Sequence, residues 1–261
     1  MLISIIIPTY NRVQFLIETI DSILSQTYSN FELIIVSDGS NDNTKQKVNQ
    51  IKDSRIKFIE LEKNYGYPAK ARNEGIKISK GEYIALCDDD DLWEKNKLEK
   101  QVDYINKGYN FIFTNIKFID SEKSFIKKLY STFFIYFVIN ILNKSFSYFF
   151  LSFTNPIANS SVLLSKKVLS NLYFEESILF RAVEDYQLWI KIFLKTKPYY
   201  INDNLINYRI HESNISSDFI NNLKKCLMIM YSIKAKSFSQ RLFKMIGIMF
   251  YSIRIFKNKL F

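Results

Sequence analysis

The first 87 residues alternate between short apolar runs and segments with helical spacing, and this alternation restricts the possible folds more than any other feature. Four short segments are predicted to be strands, and they lie at 3–8, 31–37, 56–61 and 82–87. The first is a continuous β-branched run, as expected for a strand buried on both faces, and the second is also expected to be buried. Three segments with helical signals separate them, at 14–26, 45–51 and 69–79. Strands that alternate with helices in this way predict βαβ units and a mostly parallel sheet of the α/β class.

The loops that follow these strands carry unusual acidic residues. Right-handed crossovers bring the carboxyl ends of parallel strands to one edge of a sheet, where open α/β sheets bind their ligands. Asp38 follows the second apolar run, and four consecutive aspartates at 88–91 follow the fourth. The sequence therefore predicts that two acidic loops, distant along the chain, meet at one crevice.

The following residues continue the same domain. Their patterns predict two helices, at 94–106 and 183–193, and two strands, at 110–119 and 162–164. The stretch 129–143 is uncharged and apolar, but it is shorter than the roughly 18–20 residues that a membrane-spanning helix needs. No linker is evident, so residues 1–220 are expected to form one domain.

Positive charge is concentrated at the C-terminal end. The chain has a net charge of +10, and residues 221–261 contain nine Lys or Arg and no acid. Apolar runs such as 245–251 lie between these cations, which predicts a basic, amphipathic helical segment on an anionic membrane surface. Two alternatives remain open: helices packed on the domain with a solvated basic face, and a nucleic-acid site, which no other feature supports.

Several classes of function are excluded by what the sequence lacks. A single histidine rules out a His-rich zinc site and the HExxH helix of metalloproteases. There is no glycine-rich dinucleotide fingerprint, no P-loop and no GxSxG nucleophile elbow. The first apolar run lacks the basic segment that precedes a secretory signal, and two cysteines cannot form a disulfide framework. These features favour a cytoplasmic protein.

The four aspartates at 88–91 are the strongest indication of chemistry. Adjacent carboxylates repel one another unless a cation compensates them, and a divalent metal ion with a phosphate-bearing ligand fits that role. Alternate side chains of an extended segment share a face, so Asp88 and Asp90 are expected to point together. The structural alternative is a solvated acidic turn in front of a helix.

Three other polar positions allow both a functional and a structural interpretation. Asp38 can accept a hydrogen bond from a nucleobase at the end of a strand, or it can form a turn. Glu184 and Asp185 can supply a general base for an acceptor hydroxyl, or they can stabilise a helix N-terminus. His211 can bind a metal ion, although a lone histidine is more often structural.

Six segments, taken in order, resemble glycosyltransferase family 2, a large family of inverting enzymes with the GT-A fold. The resemblance extends from about residue 3 to about residue 216. It rests on SIIIPTYNR at 4–12, IVSDGSNDNT at 35–44, ARNEG at 71–75, YIALCDDDDLW at 83–93, EDYQLW at 184–189 and YRIH at 208–211. Each segment is weak alone, but their order and spacing are specific.

The resemblance implies a GT-A fold, with a mostly parallel, Rossmann-like sheet flanked by helices, and it implies roles for individual residues. A nucleotide-diphosphate sugar would be bound by Pro8, Thr9, Tyr10, Asn11, Asp38, Arg72, Asp88 and Asp89. Mn²⁺ or Mg²⁺ would be bound by Asp90 and His211. Asp185 would be the catalytic base, with Glu184 as its substitute, and the acceptor would lie near Asn159, Ser160 and Ser161. Asp89 replaces a residue that is commonly small in the family, and Asp91 adds a fourth acid, so the pair that touches the metal stays open.

The implied function is inverting transfer of a sugar, by default from a UDP-sugar, to a hydroxyl of a glycan or lipid-linked glycan. The aromatic middle of the chain and its basic end favour a lipid-linked acceptor at the inner face of the cytoplasmic membrane, as in surface-polysaccharide assembly. One alternative is a non-catalytic relative that binds sugar nucleotides or serves as a membrane scaffold, although the acids at 38, 88, 90 and 185 argue against it. A phosphohydrolase would need aspartates near the first strand, which carries none.

Overall fold

The computed structural model describes residues 1–119, 151, 155–211, 218–235 and 237–257. One sheet contains the strands β1 (Ile3–Thr9), β2 (Phe31–Ser37), β3 (Ile56–Glu60), β4 (Tyr83–Leu86), β5 (Leu92–Trp93), β6 (Phe111–Ile119), β7 (Leu163–Ser165) and β8 (Tyr199–Arg209). The α-helices are α1 (Val13–Leu24), α2 (Thr44–Gln50), α3 (Pro68–Ile78), α4 (Lys97–Asn106), α5 (Lys166–Leu169), α6 (Glu184–Phe193), α7 (Phe219–Ser232) and α8 (Phe238–Lys257). The apolar stretch 129–143 lies outside the described residues.

The strand order is β3-β2-β1-β4-β7-β6-β8-β5. The first four strands run parallel, and all seven residues of β1 are buried, as its continuous β-branched sequence predicts. β7 is antiparallel to both of its neighbours, β6 and β8 pair in parallel, and β5 pairs with β8 in the opposite direction. The sheet is therefore mostly parallel, and the carboxyl ends of β1, β2 and β4 share one edge.

Two expectations about the chain near the acidic run are wrong. The helix predicted from residue 94 begins at Lys97, because the two residues of β5 extend to pair with β8. The aspartates at 88–91 form a turn rather than an extended segment, and the backbone N–H of Asp91 lies 3.4 Å from the carbonyl oxygen of Asp88. Strand alternation therefore does not apply, although Asp88 and Asp90 do line the same cavity.

Helices cover both faces of the sheet and form two apolar clusters. α1 and α4 pack on one face through Leu16, Ile20 and Leu98. The other face is covered by α3 and α6 and also by the C-terminal helices α7 and α8, which contribute Ile229 and Tyr251 to the core. The C-terminal basic segment thus packs on the domain through one side. No helix in the described part of the chain is both long and apolar enough to cross a membrane.

Candidate active site

A cavity of about 680 Å³ opens beside the carboxyl ends of the parallel strands. Its volume is in the range of about 300–1,000 Å³ that is usual for small-molecule sites. The residues predicted for the site that line it are Pro8, Thr9, Tyr10, Asp38, Arg72, Asp88, Asp89, Asp90, Asn159, Glu184 and Asp185. The fold therefore brings the two acidic loops and the start of α6 together in one cavity.

The loop after β2 fixes one side of this cavity. The carboxylate of Asp38 accepts hydrogen bonds from the backbone N–H groups of Tyr65, at 3.0 Å, and Gly66, at 3.1 Å. Burial raises the pKa of Asp38, while these two backbone hydrogen bonds oppose the rise. Gly39 has a φ of +69°, and a Cβ there would lie 2.8 Å from the backbone nitrogen of Asn64. A side chain at position 39 would therefore displace the turn that Asp38 holds.

Asn11 is not among the residues that line the cavity, so its contact with the donor stays a prediction. Its backbone N–H donates to the Ser40 hydroxyl at 3.1 Å, and its side-chain oxygen accepts from the backbone N–H of Asn41 at 2.8 Å. Asn11 itself has a φ of 52°. This residue therefore joins the loop after β1 to the loop after β2, outside the cavity.

Two arginines compensate the acidic turn. Arg72 donates to the Asp88 carboxylate at 2.7 Å, and Arg12 donates to Asp89 at 3.2 Å and to Asp90 at 2.8 Å. Burial, and then the charge of Asp90, raise the pKa of Asp89 to about 7. Arg12 was not among the residues predicted for the site. Four adjacent carboxylates require a nearby cation, and this requirement could have pointed to Arg12.

The fourth aspartate, Asp91, is 1% exposed and holds the turn from behind. Its carboxylate accepts from the Ser160 hydroxyl and, at 3.3 Å, from the backbone N–H of Arg209. The Ser160 oxygen also accepts from the backbone N–H of Asp88 at 2.9 Å. Burial raises the pKa of Asp91 well above its ordinary value. Because Asp91 is enclosed by these partners, Asp88, Asp89 and Asp90 are the acids that face the cavity.

The three residues predicted to lie near the acceptor occupy different environments in the structure. Asn159 lies on the cavity wall, but Ser160 and Ser161 have no exposed surface. Ser160 binds the acidic turn, and the carbonyl of Ser161 accepts from the side chain of Gln101 at 2.9 Å. The two serines therefore position neighbouring segments, and the expectation that the acceptor lies near this segment stays a prediction.

Asp90 and His211 form the donor pair predicted for a metal ion. His211 Nε2 lies 2.9 Å from Asp90 Oδ2, and the imidazole stacks on Phe15 with ring centroids 5.0 Å apart. Among the described residues, no group of three or more His, Cys, Asp or Glu is arranged to hold a metal by itself. Mg²⁺ usually takes one or two protein carboxylates and completes its shell with water and substrate phosphates. Asp90 offers one such carboxylate, and the His211 imidazole beside it offers a second donor atom.

Arg72 bridges the acidic turn to α6. Its side chain is 4% exposed and donates to Glu184 at 2.6 Å as well as to Asp88. Burial lowers the pKa of Arg72, but the carboxylates of Asp88 and Glu184 outweigh burial and raise it above its ordinary value. Glu184 Oε2 is buried and has no hydrogen-bond partner within the described chain. One carboxylate oxygen of Glu184 is thus committed to Arg72.

Asp185, the next residue, is half-buried and lines the cavity. Its carboxylate accepts from its neighbour's backbone N–H at 2.6 Å and from the side-chain amide of Asn155 at 3.1 Å. Burial, and then the charge of Glu184, raise the pKa of Asp185 to about 7. A cavity carboxylate with a pKa near neutrality has the properties of a general base, whereas Glu184 is bound to Arg72.

Comparison with known protein families matches residues 4–164 to Glycosyl transferase family 2. An uncharacterized glycosyltransferase of Rickettsia bellii is 37% identical over 81% of this chain, and the chain spans 29% of that relative's length. A second relative is the Escherichia coli UDP-Glc:alpha-D-GlcNAc-diphosphoundecaprenol beta-1,3-glucosyltransferase WfaP. It is 36% identical over 90% of this chain and 88% of its own length.

Two solved structures resemble the fold. Staphylococcus aureus TarS 1-349 in complex with UDP-GlcNAc has a TM-score of 0.74 and 21% identity, covering 98% of this chain and 73% of TarS 1-349. The mannosyltransferase PcManGT from Pyrobaculum calidifontis, in complex with GDP-Man and Mn²⁺, has a TM-score of 0.70 and 16% identity. It covers 96% of this chain and 73% of its own. These likenesses confirm the predicted GT-A fold.

Proposed function

The chain belongs to glycosyltransferase family 2, and we propose that it transfers a sugar from a UDP-sugar to a hydroxyl of a lipid-linked glycan, with inversion at the anomeric carbon. The family and the glycosyltransferase class of enzyme, both predicted from the sequence, are confirmed by this membership. The observation that carries the proposal is the single cavity in which Asp38, the acidic turn and Asp185 meet.

The donor occupies the side of the cavity nearest β1 and β2. Tyr10 is 39% exposed and offers a ring face to a base, and Asp38 offers carboxylate oxygens to its N–H groups. A UDP-sugar is supported by the UDP-Glc in the name of the Escherichia coli relative and by the UDP-GlcNAc bound to TarS. UDP-glucose is therefore the first donor to test.

The diphosphate lies at the acidic turn, where Asp90 and His211 would hold Mn²⁺ or Mg²⁺. A divalent cation there supplies positive charge to a diphosphate leaving group. The Mn²⁺ in the PcManGT complex supports a metal ion of this kind. Arg72 holds Asp88 in place from within the protein, and Arg12 bridges Asp89 and Asp90. These arginines keep the three carboxylates together before the donor binds.

Asp185 removes the proton from the acceptor hydroxyl. The hydroxyl oxygen forms a bond to the anomeric carbon as the bond from that carbon to the diphosphate oxygen breaks, and the proton moves to the Asp185 carboxylate. Attack from the face opposite the leaving group inverts the configuration. The pKa of Asp185, raised to about 7, makes its carboxylate a stronger base than an exposed aspartate.

A lipid-linked acceptor is supported by the acceptor in the relative's name, GlcNAc-diphosphoundecaprenol. Asn159 lies on the acceptor side of the cavity, and its buried side-chain oxygen has no partner within the described residues. An acceptor of this kind places the enzyme at the cytoplasmic face of the membrane, in the assembly of a surface polysaccharide. Both cysteines are free, which agrees with a reducing compartment.

A transfer assay tests this function. The protein is incubated with Mn²⁺, a panel of UDP-, GDP- and dTDP-sugars and polyprenyl-diphosphate-linked GlcNAc, and the product's anomeric configuration is determined by NMR. We expect transfer from a UDP-sugar with inversion, and loss of transfer in excess EDTA and in Asp90→Asn. The control is Asp103→Asn, an exposed position on α4 outside the cavity. Absence of both transfer and donor hydrolysis with every donor would favour a non-catalytic relative, and activity in EDTA would refute the metal.

A further inference from the structure

The last helix, α8, is apolar on the side that faces solvent. Six large apolar side chains recur there at intervals of three or four residues, which places them on one face of the helix. We call this face the solvent stripe, and it consists of Phe238 (82% exposed), Leu242 (42%), Met245 (66%), Met249 (58%), Ile253 (47%) and Phe256 (65%). The opposite side of α8 already packs on the domain through Tyr251 and Ile248. A helix on the surface of a soluble domain is normally polar on its solvent side, so the solvent stripe requires an explanation.

The stripe belongs to a fixed helical hairpin rather than to a loose end. Lys244 on α8 donates to the carbonyl oxygens of Tyr231, at 2.8 Å, and Ile233, at 2.7 Å, where α7 ends. Tyr231 and Met228 of α7 are themselves 61% and 48% exposed. Both helices therefore carry exposed apolar side chains, and the hydrogen bonds of Lys244 join α8 to the end of α7.

The charge of the C-terminal segment indicates which partner the solvent stripe binds. Residues 221–261 carry nine cations and no acid. The structure separates these cations by role, because Lys244 is bound to α7 and Lys225 donates to the carbonyl of Arg181 at 2.7 Å. Lys224, Lys234 and Arg241 are exposed. A second copy of the chain would bring the same positive charge to the contact, whereas an anionic bilayer brings both an apolar interior and negative headgroups.

We propose that the solvent stripe of α8 inserts into the headgroup region of an anionic membrane, with the exposed cations on the lipid headgroups. At 1.5 Å per residue, a helix of this length extends for about 30 Å and can lie along the surface. The hairpin adjoins the catalytic helix, since the Tyr251 hydroxyl donates to the Tyr186 hydroxyl at 3.0 Å and Tyr186 follows Asp185. Membrane binding itself does not depend on the proposed function. Only its purpose, which is to bring the cavity close to a lipid-linked acceptor, rests on that function.

Co-sedimentation of the full chain with vesicles tests the surface directly. One set of vesicles contains phosphatidylglycerol and phosphatidylethanolamine, and the other contains phosphatidylcholine alone. We expect binding to the anionic vesicles that weakens with salt. Met245→Gln/Met249→Gln should weaken it at least about tenfold, because two apolar side chains no longer enter the lipid. The matched control is Ile178→Gln/Leu179→Gln, which makes the same kind of change at similarly exposed positions and should bind as the wild type does.

A second pair of variants tests the charges. Lys224→Gln/Lys234→Gln should weaken binding to anionic vesicles by about 30-fold, the effect of two cations at an anionic surface. Its control, Lys47→Gln/Lys57→Gln, removes two exposed cations from α2 and β3 at the far edge of the sheet and should have little effect. Circular dichroism verifies that each variant is folded.

Three results would overturn the proposal that the solvent stripe binds an anionic membrane. These are no binding to anionic vesicles, equal binding to both kinds, or a dimer in solution that the stripe variant dissociates. Vesicle binding needs neither donor nor acceptor, and transfer can be measured with a detergent-dispersed acceptor. Failure of the membrane surface is therefore distinguishable from failure of the proposed activity.

Discussion

Replacing Arg72 by methionine tests the buried bridge between the acidic turn and α6. Arg72 and Glu184 each have side chains that are 4% exposed, and their contact is 2.6 Å long. Removing one partner of such a pair leaves the other charge buried and uncompensated, which typically costs about 3–5 kcal/mol. Glu184 already lacks a partner for Oε2 within the described residues, so no nearby group replaces the lost donor. We expect urea titration to show a loss of about 3–5 kcal/mol in the free energy of unfolding.

Two further variants make this prediction specific. Arg72→Met/Glu184→Gln removes the stranded charge and should recover most of the lost stability. Arg55→Met breaks the contact between Arg55 and Asp53, whose side chains are 28% and 22% exposed respectively. Because this ion pair is partly exposed, its loss should cost about 1 kcal/mol or less. The reasoning would be refuted if Arg72→Met cost no more than Arg55→Met, or if the double variant were no more stable than Arg72→Met alone.

Three shorter predictions concern the cavity. Because Asp185 must be ionised to accept a proton and its pKa is raised to about 7, kcat should fall about tenfold per pH unit below pH 7 and level off above it, and a flat profile would contradict this assignment. Gly39→Ala should cost more than about 1 kcal/mol of stability and weaken UDP binding measured by calorimetry, since alanine is strained at a φ of +69°. Ser160→Ala should lower kcat more than it changes KM, because the acidic turn loses two hydrogen bonds, and unchanged kinetics would refute that positioning role.

The parallel half of the sheet was predictable because its strands are short and rich in apolar residues, although Lys57 and Glu60 interrupt β3. β5 and β8 were not predicted. β5 has only two residues, and it exists because Leu92 pairs with Asn207, more than a hundred residues away. β8 contains three consecutive exposed residues and a register shift opposite β6, so its sequence lacks the regular pattern of a strand. Strands of this kind depend on partners that local sequence does not reveal.

The candidate site was likewise predictable from the sequence only in part. The meeting of Asp38 with the acidic turn followed from the topology of parallel strands, and the resemblance to the family pointed to Asp185. The direction of each side chain did not follow from either source. The acidic run indicated a cation, but only the folded chain shows that Arg12 and Arg72 provide positive charge there. The basic C-terminal segment was equally visible in the sequence, whereas the binding of Lys244 to the end of α7 depends on how the hairpin folds.

The central claim is that Asp185 is the catalytic base. Measuring both sugar transfer and UDP binding by the Asp185→Asn variant tests it most directly. The variant keeps the shape of the side chain and leaves the donor side of the cavity unchanged, so the dissociation constant for UDP in Mn²⁺ should stay close to that of the wild type. Loss of the general base should reduce transfer about 10²–10⁴-fold. Transfer at the wild-type rate, or an active Asp185→Asn beside an inactive but folded Glu184→Gln, would contradict the assignment of Asp185 as the base.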